Sequence, residues 1–155
     1  RKSRLVARGH TIDPPSSITY SSVVSRDSVW IALTVAALNG FNCMLCVIGN
    51  AYPNTFCWEK IWCIAGAEFG SDKGKILIIC QALYGLKSSR ANRRATFTET
   101  LNGLGYKSSS ADPDVWIKPK VKSNGDDYYS LIFVYVDDVL HFDHETKELM
   151  ILLED

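Results

Sequence analysis

Ser130-Leu131-Ile132-Phe133-Val134-Tyr135-Val136-Asp137-Asp138-Val139-Leu140-His141-Phe142 is an apolar, β-forming run broken once, by two adjacent carboxylates. Charge is costly to bury. The simplest arrangement is therefore a β-hairpin over 127–143 whose tight turn lifts Asp137 and Asp138 to an exposed edge. Paired carboxylates at such an edge suit a hard divalent cation, because Mg2+ is commonly held by one or two carboxylates plus substrate phosphates. Taken alone, Tyr135-Val136-Asp137-Asp138 is better explained as a plain hairpin with Asp-Asp at its turn.

Working outward, Asp112-Pro113 opens a turn before a strand at 115–118, and Asn124-Gly125 tips the charged loop that leads to the hairpin. Ser88 or Ser89 caps a helix that runs to about Leu104 and stops at Gly105. Strands are expected at 59–65 and 75–83, joined by a loop holding Gly70, Ser71, Asp72 and Gly74, and an apolar strand at 43–49. Asp27 caps a helix from Ser28 to Asn39, ended by Gly40, with Ala32, Val35, Ala36 and Leu38 on its buried side. A basic strand at 2–9 and a helix from about Glu145 complete the chain. The plan is α+β: a sheet with helices packed on one face.

The 155 residues are enough for one domain with its own core. Lys+Arg and Asp+Glu both number 17, and a zero net charge argues mildly against a nucleic-acid partner. Local clusters argue the other way: Arg1, Lys2, Arg4 and Arg8; Lys87, Arg90, Arg93 and Arg94; Lys118, Lys120 and Lys122. No apolar run reaches membrane-spanning length and no signal peptide is present. Both ends read as cut from a larger polypeptide. Five cysteines without secretory context read as free thiols in a reducing, intracellular compartment, cytoplasmic or nuclear. Cys43-x-x-Cys46 is a weak zinc signal, and Cys57 and Cys63 are wrongly spaced to complete it. Asp143 could join Asp137 and Asp138 in an unrelated cation site, but no EF-hand spacing accompanies them. His141 reads as an exposed strand-end histidine.

In their order along the chain, several segments form a larger pattern. They are Lys2-Ser-Arg-Leu-Val-Ala-Arg-Gly9, Ser22-Val-Val-Ser-Arg26, Val47-Ile-Gly-Asn-Ala-Tyr52, Ala82-Leu-Tyr-Gly-Leu-Lys-Ser-Ser89, Ala111-Asp-Pro-Asp114 and Tyr135-Val-Asp-Asp138. This series resembles the reverse transcriptase of copia-type (pseudovirus) LTR retrotransposons, from Lys2 to Asp143. The resemblance implies a right-hand polymerase: a ferredoxin-like antiparallel palm sheet backed by helices, with partial fingers, in one fragment that lacks the thumb and RNase H. It implies copying of an RNA or DNA template-primer with deoxynucleoside triphosphates, two Mg2+ ions, and an origin in a larger polyprotein. Carried over by residue, Asp137 is an ion ligand and Asp138 its supporting partner. Tyr52 lies beneath the incoming sugar and rejects a 2′-hydroxyl, with Asn50 and Ala51 as its neighbours in the nucleotide pocket. Tyr84 and Gly85 form the nucleotide-side turn, and Lys2 and Arg4 resemble the fingers cations that grip the triphosphate.

The pattern breaks at its third carboxylate. The family carries an aspartate where this chain has Val47, and residues 43–54 contain no carboxylate to replace it. Arg90, Arg93, Trp30 and Pro53 also depart from the family's usual residues. The expectation is an inactive copy, with a non-catalytic nucleic-acid-binding remnant or a pseudogene product as the alternatives.

Overall fold

The computed structural model describes residues 5–13, 15, 19–49 and 52–154. The chain divides into two compact units, one of residues 1–21 and 50–96, the other of 22–49 and 97–155.

The second unit is built on a five-stranded sheet of β1 (Asn42–Val47), β4 (Lys107–Ser108), β5 (Val115–Val121), β6 (Asp127–Tyr135) and β7 (Asp138–Asp143). Its strand order is β1-β7-β6-β5-β4, and every neighbouring pair is antiparallel. The expected hairpin is β6–β7, with Tyr135 opposite Asp138 and Ile132 opposite His141.

Strand alternation sorts this sheet into two apolar faces. Ile132, Val134, Val139 and Trp116 pack with Phe97 and Leu101 of α2 (Ser89–Gly103) and with Leu149 and Leu153 of α3 (Lys147–Glu154). The adjacent Phe133 and Phe142 point the other way, onto Ala32 and Ala36 of α1 (Arg26–Asn39). Helices therefore cover both faces, where the sequence pattern suggested one. The reason is legible afterwards: β6 is apolar at successive positions rather than alternate ones, which is the pattern of a strand buried on both sides.

Helix α1 begins one residue after Ser25, whose hydroxyl accepts from the Ser28 backbone N–H at 3.1 Å. Ser25, not Asp27, is thus the cap; Asp27 sits in the first turn, where its charge suits the helix dipole. Gly40 closes the helix in the left-handed conformation, φ 65°. Only the small residues of this helix are fully buried. Leu38, expected inside, is 81% exposed.

In the first unit, Val6 bridges Tyr84 in parallel and the Ala7 N–H donates to the Tyr84 carbonyl at 2.7 Å. Gly9–Thr11 follow as a 3-10 turn; of the expected 2–9 strand, residues 2–4 lie outside the described residues, and within 5–9 Val6 alone makes a β-bridge. The pair β2 (Trp62–Ile64) and β3 (Ile76–Ile78) forms a short antiparallel hairpin. Both strands are shorter than expected, and the 3-10 stretch Ala67–Asp72 lies in their connection. Among the described residues no helix is long and apolar enough to cross a membrane.

Candidate active site

The β6–β7 turn brings the acidic pair to the end of the second unit's sheet. Val136 and Asp137 are the two residues between the paired Tyr135 and Asp138. Val136 has φ 56°, the one positive φ among described non-glycine residues. A left-handed first residue is what a II′ hairpin turn asks for, and glycine usually supplies it. A β-branched residue there is held in a strained conformation, which costs about 1–3 kcal/mol.

On the far side of β7, Val47 is the register partner of Asp138, and the Ile48 N–H donates to the Asp137 carbonyl oxygen at 2.8 Å. Tyr135, Asp138 and Val47 thus form one row across three strands, on a single face. Tyr135 is 54% and Val47 62% exposed, and Asp138 is exposed as well. Asp137 is half-buried. Asp143 is no part of this group. It closes the other end of β7, five positions on and about 17 Å away along an extended strand, and it faces the opposite side.

Of the remaining predicted site residues, Tyr52 and Tyr84 come together in the first unit. Their rings meet edge-to-face with centroids 4.6 Å apart, and Tyr52 is buried. Gly85 has φ 92°, and a Cβ on it would fall 2.1 Å from the Ala7 carbonyl oxygen. Only glycine lets the two backbones approach this closely. Lys2, Arg4, Asn50 and Ala51 lie outside the described residues.

A family model described as reverse transcriptase (RNA-dependent DNA polymerase) matches residues 1–153. The chain belongs to the reverse transcriptase family. No curated protein and no solved structure matches it.

Reverse transcriptases generally use Mg2+, so the donors at the hairpin must be weighed against that ion. Asp137 and Asp138 supply two carboxylates. Val47, opposite Asp138, supplies no oxygen from its side chain. Among the described residues no three His, Cys, Asp or Glu side chains gather to hold a metal. Two carboxylates suit one hard cation held jointly with phosphates. They do not suit a bridged pair of ions.

The motif Ala111-Asp-Pro-Asp114 does structural work in this reverse transcriptase domain. The Asp112 carboxylate accepts from the Ser25 N–H at 2.9 Å, the Ser28 hydroxyl at 2.6 Å and the Asp114 N–H at 3.1 Å. It ties the start of α1 to the turn before β5. Burial pushes its carboxyl up, but these hydrogen bonds outweigh burial and leave it below the usual carboxylate range.

A second polar constellation was not anticipated. His141, expected at the surface, is fully buried, and so is Asp143. The His141 Nε2 lies 3.0 Å from the Ser130 hydroxyl, 3.4 Å from the Tyr106 hydroxyl and 3.5 Å from Asp143 Oδ2. Asp143 also pairs with the Lys120 ammonium at 2.7 Å and accepts from the Tyr128 hydroxyl at 2.9 Å and the Glu145 N–H at 3.0 Å. Burial alone would raise the Asp143 carboxyl; His141, the Glu145 N–H and Lys120 hold it far below the usual range instead. Burial, and then the bond to Asp143, push the Tyr128 hydroxyl up.

Ser, His and Asp here do not form a nucleophilic triad. Such a relay uses both imidazole nitrogens, one for each partner. Here Nε2 meets both, and the buried Nδ1 has no hydrogen-bond partner among the described residues. Ser130 is 0% exposed, so no substrate reaches it. The network is a polar core. Its only signal in the sequence is His141-Phe142-Asp143, whose alternation places the two polar residues on one face.

The same contacts weaken one basic cluster as a nucleic-acid surface. Lys118 donates to the Leu104 carbonyl at 2.8 Å, at the end of α2, and Lys120 is engaged by Asp143. Of the three lysines, Lys122 alone has an ammonium without a partner among the described residues.

Proposed function

We propose that this chain is the fingers-and-palm part of an RNA-directed DNA polymerase from a copia-type retrotransposon polyprotein, and that this copy is catalytically silent. In this reading the five-stranded sheet is the palm, with its ferredoxin-like strands around the β6–β7 hairpin. Asp137 and Asp138 are the surviving Mg2+ ligands. Tyr52, Asn50, Ala51, Tyr84 and Gly85 belong to the nucleotide pocket, and Lys2 and Arg4 to the triphosphate grip. The partners are an RNA or DNA template-primer and deoxynucleoside triphosphates, and the setting is intracellular.

The observation that carries the reading is the pairing of Val47 with Asp138. It is the register in which a third carboxylate would face the acidic pair, and valine stands there. Loss of one such ligand costs about 4 kcal/mol of transition-state stabilisation, roughly three decades in rate.

The test is primer extension on a homopolymer and a heteropolymer template with Mg2+ or Mn2+. The chain and its Asp137→Ala variant should be indistinguishable. Template-dependent incorporation by the chain well above that control overturns the silence. If Val47→Asp restores incorporation that Asp137→Ala then abolishes, the polymerase reading stands and valine is the lesion.

A further inference from the structure

Cys57 and Cys80 lie far apart in the sequence and directly opposite each other in the first unit. Phe56 and Gln81 are antiparallel bridge partners. The bridge is flanked by two hydrogen bonds, from Ala82 N to Thr55 O at 2.8 Å and from Cys57 N to Cys80 O at 2.9 Å. The next pair in that register is Cys57 with Cys80.

Residues directly opposite in an antiparallel pair have Cα atoms about 4.5–5.5 Å apart, and their side chains leave the same face. A disulfide needs Cα atoms about 4.4–6.8 Å apart. The three cysteines that lie in strands have no cysteine opposite: Cys43 faces Phe142, Cys46 faces Val139 and Cys63 faces Leu77. All five cysteines are free thiols, with Cys80 exposed and Cys57 half-buried.

The pair also sits where a link has a structural consequence. Beyond it the register breaks: Ile61 and Ile79 are the next to pair, through an Ile79 N–H to Ile61 carbonyl bond of 2.9 Å, so Trp58, Glu59 and Lys60 bulge out of the segment that leads into β2. The Cys57 thiol is 3.5 Å from the Glu59 carbonyl of this bulge, and the Cys80 sulfur is 3.8 Å from the Ile78 carbonyl. Past the bulge comes the β2–β3 hairpin, with Trp62, Ile64, Ile76 and Ile78 each more than half exposed. A two-stranded hairpin has little stability of its own. Cys57 and Cys80 stand at its base.

We propose that Cys57 and Cys80 form a redox-active dithiol whose oxidation staples the base of the β2–β3 hairpin. The oxidant is a small-molecule disulfide such as oxidised glutathione. The exposed Cys80 loses its proton and its thiolate attacks one glutathione sulfur, which breaks that S–S bond and releases one glutathione thiol. Cys57 then loses its proton and attacks the Cys80 sulfur, forming the protein disulfide and releasing the second glutathione thiol. Two protein thiols are oxidised and one glutathione disulfide is reduced.

The fully reduced chain is incubated with oxidised glutathione, quenched with an alkylating agent and mapped by peptide mass spectrometry. The expected product is a Cys57–Cys80 linked peptide, with Cys43, Cys46 and Cys63 alkylated. Cys57→Ser should leave Cys80 as a stable glutathione adduct, and the oxidised chain should resist tryptic cleavage at Lys60 and Lys73 relative to the reduced one. A parallel reaction in concentrated urea supplies the random pattern of pairings. A native reaction that reproduces this random pattern, or that stops at the mixed disulfide, overturns the proposal.

Discussion

Replacing Val47 with aspartate separates a metal-site reading of the hairpin from a plain turn, and the register sets the size of the effect. Val47 lies opposite Asp138 on one face. Two carboxylates about 5 Å apart repel by about 0.8 kcal/mol in bulk water and about 3 kcal/mol at an effective dielectric of 20. Both positions are exposed, so the lower figure governs. Little burial is lost, because Val47 is 62% exposed. Loss of a β-branched residue from a strand adds up to about 1 kcal/mol. Val47→Asp should therefore destabilise the chain by about 1–2 kcal/mol in EDTA, a few degrees in Tm.

A divalent cation reverses the sign of the charge contribution. With three carboxylates converging, Mg2+ at ten times its Kd restores about 1.4 kcal/mol. The assay is a thermal melt with EDTA and with a Mg2+ series, on the chain, on Val47→Asp and on Val47→Asn. The asparagine variant loses the valine without gaining charge. Only Val47→Asp should be stabilised by Mg2+ beyond the response of the unmutated chain. Equal Mg2+ responses in all three proteins would refute the argument, because the third carboxylate would then have no ion to share.

Other consequences follow from the same geometry. Val136→Gly should exceed Val136→Ala in stability by about 1 kcal/mol in urea unfolding, the reverse of the usual order, because alanine keeps the left-handed strain that glycine removes; an alanine variant as stable as the glycine one would mean the turn is unstrained. Asp143→Ala should cost about 3–5 kcal/mol in the same measurement, since it strips Lys120, Tyr128 and the buried His141 of their shared partner. The carboxyls of Asp112 and Asp143 are lowered on folding, so their stabilisation is complete above about pH 4 and is lost as pH falls through the folded values. The Tyr128 hydroxyl is raised, so its contribution is full below about pH 10 and is lost at higher pH; Tyr128→Phe should flatten that alkaline limb in pH-dependent denaturation.

The local features of this chain are written in its residues. The Asp-Asp hairpin, the helix ended by Gly40 and the helix that stops near Gly105 all follow from neighbours a few positions apart. Turn chemistry, capping and alternation act over that range, so they can be read without a fold. Ser25 rather than Asp27 as the cap is a two-residue error of the same local kind.

What needed the tertiary structure is whatever depends on distant segments meeting. The burial of His141 depends on Ser130, Tyr106 and Asp143 lining one sheet face. The engagement of Lys118 and Lys120 depends on where α2 ends and β7 closes. Gly85 reads as a turn residue until Ala7 is found against it, and Cys57 and Cys80 become a pair only through the Phe56–Gln81 bridge. A residue's type states which interactions it can make. Strand register and packing determine which it does make, because they alone bring together groups that the chain keeps apart.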